Sequence, residues 1–449
     1  MKSPRFTPIF VSLLATGLLA GCATRPIPEE RVARDRVAEL ANIRADLSVP
    51  AVESLATQED YLRFALLRHP RIAAAHADWR AAVEEITPAR SLPDPKLTFE
   101  ADIADMVMTL MPGLMFDIMG PGKRAAMGRE AAATADVAYQ DYRAVVLQVA
   151  AELKKTLADL AYIDAALGLR AESLAALDQT SAFAEADYST GRGMGTLEDQ
   201  VNARTETERI RIEVANLTDQ RDATRARLKA ALGLRRDEPS PAWPTSFAPS
   251  PAPADEDALW SQVLLANPQL GSMRAMVQMA VSQVAVARKT RTPDFEIGAM
   301  VDLKASPLMV RPTAGMTLPI WRDKIAATIA AAEQRHEAAS ARLTAEEINL
   351  AAELAQMTYM IREADRMIAF IDATALPGIV QTLESARAGY QSGMVSLSTV
   401  PSLELMALGM RLEKAAALRE RERVLADLSL LITGNTPAGA PVLAVGNTR

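Results

Sequence analysis

The sequence predicts a mainly α-helical fold with short β hairpins, written twice in tandem. Three observations predict it. First, landmarks recur in the same order about 200 residues apart. Arg68-His69-Pro70 returns as Ala266-Asn267-Pro268, and Pro93-Asp94 as Pro293-Asp294. Gly122-Lys123-Arg124 is echoed by Asp323-Lys324, and Tyr188-Ser189-Thr190-Gly191 by Tyr390-Gln391-Ser392-Gly393. Second, within each copy the apolar period switches between the helical and the strand spacing. Third, an alanine-rich chain with 23% charged and only 4% aromatic residues suits long, closely packed helices better than a large lipid-facing barrel. Duplication of so long a unit implies pseudo-symmetry, and a symmetric wall is one way to enclose a conduit.

The N-terminus reads as an address. Lys2 and Arg5 precede an apolar run from Ile9 to Ala20, shorter than the about 20 residues a membrane-spanning helix needs. The run ends in Leu19-Ala20-Gly21-Cys22, the pattern of a bacterial lipobox, in which the thiol of the only cysteine takes a diacylglycerol and the peptide is cut before it. Cys22 is therefore the expected lipidation site (palmitate among the acyl chains), and with it spent no disulfide forms within the chain. Ala23 stands where an inner-membrane retention signal places Asp, which favours the outer membrane. Loss of residues 1–21 removes Lys2 and Arg5 and moves the formal net charge from −7 to −9. An acidic chain without basic tracts argues against nucleic acid as a partner.

After a polar, irregular segment from Arg25 to Leu55, Glu59 to Arg90 is expected to be helical, with Leu62, Ala65, Leu66, His69, Ile72 and Ala73 on one stripe. Pro93-Asp94-Pro95 ends it. Leu97, Phe99, Ala101 and Ile103 then alternate with polar residues, and Leu114, Phe116 and Ile118 alternate again, a strand pair with one apolar and one wet face. In the second copy Phe295, Ile297, Ala299, Val301 and Leu303 form one run, and Ala314, Met316, Leu318 and Ile320 the other. Each strand only just reaches the roughly 9–11 residues that cross a bilayer. Lys123 to about Tyr188 is one uninterrupted helical pattern, with Val146, Val149, Leu153, Leu157, Leu160, Ile163 and Leu167 as a coiled-coil seam. Lys324 to about Tyr390 repeats it from Ile325, Ile329, Ala332, His336, Ala339 and Leu343, with a kink expected at Pro377-Gly378. Shorter helices, Leu197 to Leu232 and Leu403 to Ile432, follow turns at Gly191 to Gly195 and at Gly393. The organisation expected is a leader (1–21), a lipidated segment (22–57), repeat one (58–234), a Pro/Ser/Ala-rich linker (235–254), repeat two (255–434) and a disordered tail (435–449).

Reactive chemistry is hard to find. Gly120-Pro121-Gly122-Lys123-Arg124 lacks the spaced glycines and the Ser/Thr of a phosphate loop and reads as a strand-to-helix turn. His69, His76 and His336 have no third ligand in pattern, and no Ser/His/acid set or catalytic carboxylate pair is present, so neither an enzyme nor a cofactor is expected. Methionine, at 20 residues, is the unusual component. Met106, Met108, Met111, Met115 and Met119 crowd the first hairpin, and Met300, Met309 and Met316 the second; thioethers suit soft Cu(I), and they also serve as adaptable packing. Glu198 and Asp199 follow the first tip turn, where carboxylates either cap the next helix or, in a symmetric assembly, ring an opening and favour cations.

These motifs resemble the TolC-like outer membrane factors of tripartite efflux pumps, in their lipoprotein and heavy-metal branch. Arg68-His69-Pro70-Arg71-Ile72 is similar to the family's opening helix, and Leu92-Pro93-Asp94-Pro95 to its approach to the first strand. Pro121-Gly122-Lys123-Arg124 resembles the exit found in metal-efflux relatives, Leu318-Pro319-Ile320-Trp321-Arg322-Asp323-Lys324 the second exit, and Asp199-x-x-Asn202-Ala203-Arg204 the first tip. The resemblance spans about residues 58–434. It implies a homotrimer in which each chain gives four strands to a 12-stranded β-barrel and helices to a long α-barrel that crosses the periplasm. It further implies docking to a periplasmic adaptor and an inner-membrane pump, which supplies the energy. Thr399-Val400-Pro401-Ser402 departs from the acidic second tip of relatives, leaving Glu198 and Asp199, with Thr399 and Ser402 beside them, as the tip residues. The expected function is a passive efflux duct for toxic solutes, heavy-metal cations first, with drugs as the rival cargo and a poreless periplasmic coiled-coil scaffold as the rival class.

Overall fold

The computed structural model describes residues 26–45, 47–55, 57–103, 107–190, 197–244, 247, 250–251, 253, 255–392, 394–395 and 399–434. The first repeat comprises α2 (Gln58–Arg68), α3 (Pro70–Glu84), α4 (Ile86–Arg90), β1 (Lys96–Ile103), β2 (Val107–Ile118), α5 (Lys123–Thr190) and α6 (Leu197–Ala231), preceded by α1 (Pro28–Ala45). The second comprises α7 (Glu256–Ala266), α8 (Pro268–Lys289), β3 (Phe295–Asp302), β4 (Met309–Met316), α9 (Arg322–Phe370), a π turn (Ile371–Ala375), α10 (Leu376–Gln391), α11 (Thr399–Ala426) and a second π segment (Asp427–Ile432). The fold is mainly helical with two hairpins, as the periodicity predicts. At 1.5 Å per residue the 68-residue α5 is about 100 Å long.

The compact units cut across the repeats. One comprises residues 1–42, 76–140 and 271–344, and the other 43–75, 141–270 and 345–449. Both repeats therefore contribute to each unit. The first unit holds the sheet, whose order β1-β2-β3-β4 is antiparallel throughout. The second holds the α5 seam, where Val146, Val149, Leu153, Leu157, Leu160 and Ile163 are buried. In it, Arg423 of α11 grips Asp159 of α5 through two hydrogen bonds of 2.8 and 2.9 Å, and Lys155 meets Asp427 at 2.8 Å. The linker is pinned there as well. Tyr61 donates to the Ala242 carbonyl at 2.6 Å, Trp243 donates to Asp164 beneath Arg221 and Arg225, and the Ser250 N–H donates to Glu422 at 3.0 Å.

Three expectations are revised and one is given detail. The stretch from Glu59 to Arg90 is three helices, because Pro70 and the geometry at Glu85-Ile86 interrupt it; α2 opens with a capping box between Thr57 and Asp60. At Pro377, where a kink is expected, the long second helix carries a π turn. The proline ring removes one N–H from the ladder, and the turn before it widens so that the Leu376 N–H reaches the Ile371 carbonyl five residues back. Leu318 and Ile320 lie beyond β4, which stops at Met316. The segment from Arg25 to Leu55, expected to be irregular, contains the 18-residue α1.

Helix α1 has no continuous apolar stripe, which hides it from a periodicity reading. Apart from buried Leu40, charged groups attach it to the first unit. Glu30, only 1% exposed, accepts hydrogen bonds from Arg90, from Thr87 at 2.8 Å and from Arg34 at 3.2 Å. Arg36 pairs with Asp136 at 2.9 Å and lies over the Tyr139 ring. Burial by itself would raise the Glu30 carboxyl; the bonds from Arg90, Thr87 and Arg34 outweigh it and hold the group below its ordinary value. Glu30→Ala, which takes the buried carboxylate away from Arg90, should lower stability by about 3–5 kcal/mol, whereas Glu30→Leu with Arg90→Met should cost far less. Because the folded-state carboxyl is depressed, this contribution is full above the ordinary carboxylate range and fades as pH falls through the lowered value. Thermal midpoints of both variants across an acid series check this, and a pH-independent difference from wild type would contradict it.

Candidate functional site

The sheet carries the functional signal, because alternation sorts its side chains by chemistry. Register places Leu97 opposite Leu114, Phe99 opposite Pro112, Leu114 opposite Ala299, Phe116 opposite Ile297 and Phe295 opposite Met316. These residues form one apolar face across all four strands. In the single chain that face is bare: Leu97 is 65% and Phe99 68% exposed, and Ile297, Val310 and Met316 are each more than half exposed. The opposite face holds Lys96, Thr98, Glu100, Asp117, Glu296, Arg311 and Thr313. There Lys96 pairs with Asp117 at 2.6 Å, while Arg311 lies 3.9 Å from Asp302. A water-soluble sheet buries its apolar face and wets the other; here the apolar face is left uncovered. The pattern is that of a wall between hydrocarbon and water. β2 has 12 residues and the other strands 8 each, so the sheet is as short as the sequence suggests.

Below the sheet, one joint fixes the central strand pair to the helices. Asp294, just before β3, accepts the Gly120 N–H at 2.7 Å with one oxygen and meets Lys123 Nζ at 2.7 Å with the other. Burial would raise this carboxyl, but the Lys123 and Gly120 bonds win and hold it low. Gly120 is required there, since a Cβ would strike the Pro293 carbonyl oxygen. The Gly120-Pro121-Gly122-Lys123-Arg124 segment is thus the strand-to-helix turn expected, and its lysine binds a carboxylate within the chain.

His69 and Asn267 occupy equivalent places and close each repeat. His69 bonds the Ala230 carbonyl near the end of α6 and accepts the Arg71 N–H at 3.2 Å. Asn267 donates to the Leu431 and Ile432 carbonyls at 3.1 and 2.9 Å and accepts the Leu270 N–H at 2.8 Å. Gly233 and Gly434, with φ of 72° and 65°, turn the chain against these junctions. Burial pushes the His69 imidazole below its ordinary value, keeping it neutral in a packing role. His76 stacks edge-on against Trp79, and His336 lines a surface recess with Glu333 and Glu337. Among the described residues no group of three or more His, Cys, Asp or Glu could hold a metal ion.

Of the methionines, Met111, Met115, Met300 and Met309 share the polar face by register, with Met111 buried, whereas Met316 lies on the apolar face. Met119 follows β2. Met106 and Cys22 lie outside the described residues, as do the turns at Gly191–Gly195 and Gly393; for Met108 only the backbone is described. Glu198 and Asp199 fall in the first turn of α6, again as backbone, and Thr399 and Ser402 in the first turn of α11. Two features escaped the sequence reading. The first is an exposed stripe on α9, Ile348, Tyr359, Met367 and Phe370, in which Ile348, Tyr359 and Phe370 recur every eleven residues, three helical turns. The second is a cavity of about 250 Å³ beneath the linker, lined by Leu157, Ala161, Tyr162, Phe247 and Leu418, where burial lowers the Lys154 ammonium. The stripe was legible in the spacing; the cavity was not.

The comparisons agree with this geometry. A family profile described as outer membrane efflux protein matches residues 62–234 and 259–434, one match per repeat. No curated protein matches the sequence. Among solved structures, CusC, studied for changes accompanying folding and transmembrane channel formation, superposes with a TM-score of 0.70 at 18% identity, over 84% of this chain and 92% of its own. The outer membrane protein VceC of Vibrio cholerae gives 0.68 at 17%, over 84% and 96%. The CmeC outer membrane channel of Campylobacter jejuni gives 0.68 at 15%, over 88% and 91%. At these identities the likeness is one of fold. The profile, covering most of the chain and both of its copies, decides the rest: the chain belongs to the outer membrane efflux protein family, the TolC-like channels, and is a transport protein rather than an enzyme.

Proposed function

We propose that this chain is the outer-membrane duct of a tripartite efflux system, a passive homotrimeric channel docked to a periplasmic adaptor and an inner-membrane pump. The observation that carries the reading is the four-stranded sheet with an uncovered apolar face, a charged opposite face and two unpaired edges. Three copies would close it into 12 strands, with lipid outside and water within. The exposed α9 stripe supports the same assembly, since a helix that buries Leu350, Leu354 and Ile361 within its own chain has a second apolar line to cover. Cys22 is the proposed lipid anchor, and residues 58–234 and 255–434 the two structural repeats joined by the linker 235–254.

For cargo, toxic solutes in general are proposed, with heavy-metal cations first. Support comes from the resemblance at Pro121-Gly122-Lys123-Arg124 and from the thioethers of Met111, Met115, Met300 and Met309 on the polar face. Glu198 and Asp199 are proposed to ring the periplasmic opening, a role their place in the first turn of α6 allows. Purified protein should give single-channel currents in planar bilayers; their absence would favour the scaffold. Glu198→Ala with Asp199→Ala should reduce cation selectivity, and an unchanged reversal potential would leave these residues as helix caps. Leu97→Arg or Ile297→Arg, on the apolar face, should each destabilise the membrane-inserted protein by about 2–4 kcal/mol, whereas Glu100→Gln on the charged face should be close to neutral. Equal effects at the two faces in a bilayer refolding titration would overturn the assignment of the lipid side.

A further inference from the structure

We infer that the open edges β4 and β1 join between copies of this chain in the register that β2 and β3 hold within it, and that Asp94 of one copy pairs with Lys324 of the next. The inference rests on the trimeric reading above and gives it residues.

The duplication is a rule of register as well as of sequence. Adding 200 to both members of the pair Lys96/Met115 gives Glu296/Gly315, and Phe99/Pro112 gives Ala299/Pro312; both are pairs the sheet contains. The central seam pairs Gly113 with Met300, Leu114 with Ala299, Phe116 with Ile297 and Ile118 with Phe295. Moving its β2 members forward and its β3 members back by the same 200 generates the seam between copies: Thr313 with Glu100, Ala314 with Phe99, Met316 with Leu97, and Leu318 with Pro95. This register keeps Ala314, Phe99, Met316 and Leu97 together on the apolar face and sets Thr313 against Glu100 on the charged one. A slip of one residue would mix the faces. The Thr313 hydroxyl is buried without a partner in the single chain, and exposed Glu100 would stand opposite it as an acceptor.

The joint below the seam has a counterpart that is one residue out of this shift: adding 200 takes Asp94 to Asp294 but Lys123 to Asp323, with Lys324 the next residue along the helix. Asp294 takes Lys123 at 2.7 Å. Its counterpart Asp94 and the counterpart lysine Lys324 are both exposed, and among the described residues neither has an ion-pair partner within the chain. One difference is required. The tight approach of Gly120 to Pro293 cannot be copied, because Ile320 stands in place of that glycine. Three residues lead from Gly120 to Lys123 but four from Ile320 to Lys324, so the lysine has the extra length to reach a carboxylate across a wider gap.

Disulfide trapping tests the seam. Thr313 and Glu100 correspond to a pair without direct backbone hydrogen bonds, since Leu303 donates to Leu110 and the bonded positions alternate from there. Within one sheet β1 and β4 are three strand spacings, about 14 Å, apart, so a disulfide between them must link two chains. In the full-length protein carrying Glu100→Cys and Thr313→Cys, oxidation should yield covalent dimers and trimers at about tenfold or more over the off-register pair Thr98→Cys with Thr313→Cys, with single-cysteine variants as controls for Cys22. Asp94→Lys and Lys324→Asp should each reduce the heat-resistant oligomer on a denaturing gel, and the two together should restore it. Light scattering on the unmodified protein separates the failures. A trimer that cross-links no better in register than off it, or that the double charge reversal does not rescue, overturns the seam and leaves the duct. A monomer overturns both.

Discussion

A β-strand at the rim of a sheet presents a row of N–H and C=O groups, and within hydrocarbon no water is available to satisfy them. Most of this structure can be understood from that constraint. Four strands with an uncovered apolar face and two open edges are not a finished object in either solvent. In water the apolar face is the liability, and in lipid the edges are. Only closure of the sheet on further copies removes both at once, so the protomer is built as a segment of a wall. The helical portion has the same character, with an apolar seam buried inside the chain and a second apolar line on α9 left bare.

Within the protomer, the polar contacts do the fastening. The Asp294 joint ties the foot of β3 to the head of α5, so the central strand pair and the first long helix share one fixed corner. His69 and Asn267 close the two repeats by bonding carbonyls at the ends of their last helices, groups that a helix terminus leaves unsatisfied. The same side-chain types that raise thoughts of metal binding or catalysis in a bare sequence are used here as caps. In a duct this is consistent: the chemistry belongs to the pump, and the wall has to be unreactive, stiff and correctly joined.

The departures between repeats are as informative as their identity. Pro377 in the second long helix has no counterpart in the first, and the helix absorbs it with a π turn rather than a break. Ile320 stands where the first copy has Gly120, so the close approach of Gly120 to the Pro293 carbonyl is possible at one position and not at the other. The first repeat is also overlaid by α1, held through the buried Glu30–Arg90 pair, for which the second repeat has no analogue among the described residues. The two copies thus differ at the corner between sheet and helix, which in the first long helix is closed within the chain by Asp294.

The sequence alone determined the element types, their order and their doubling, because these depend on local periodicity, on proline and on turn residues whose effects act within a few positions. Leu97, Phe99, Leu114 and Phe116 announced an alternating sheet, and Val146 through Ile163 a helical seam, with no knowledge of their neighbours. It did not reveal α1, whose polar contacts reach residues 57–100 positions away, nor the cross-cutting of repeats and compact units. Nor could it say that the apolar face of the sheet is left uncovered. That decision is tertiary: alternation separates two faces, but only the folded chain shows that the apolar one stays bare, with Leu97, Phe99 and Ile297 more than half exposed, and that bareness is what suits the chain to a channel wall.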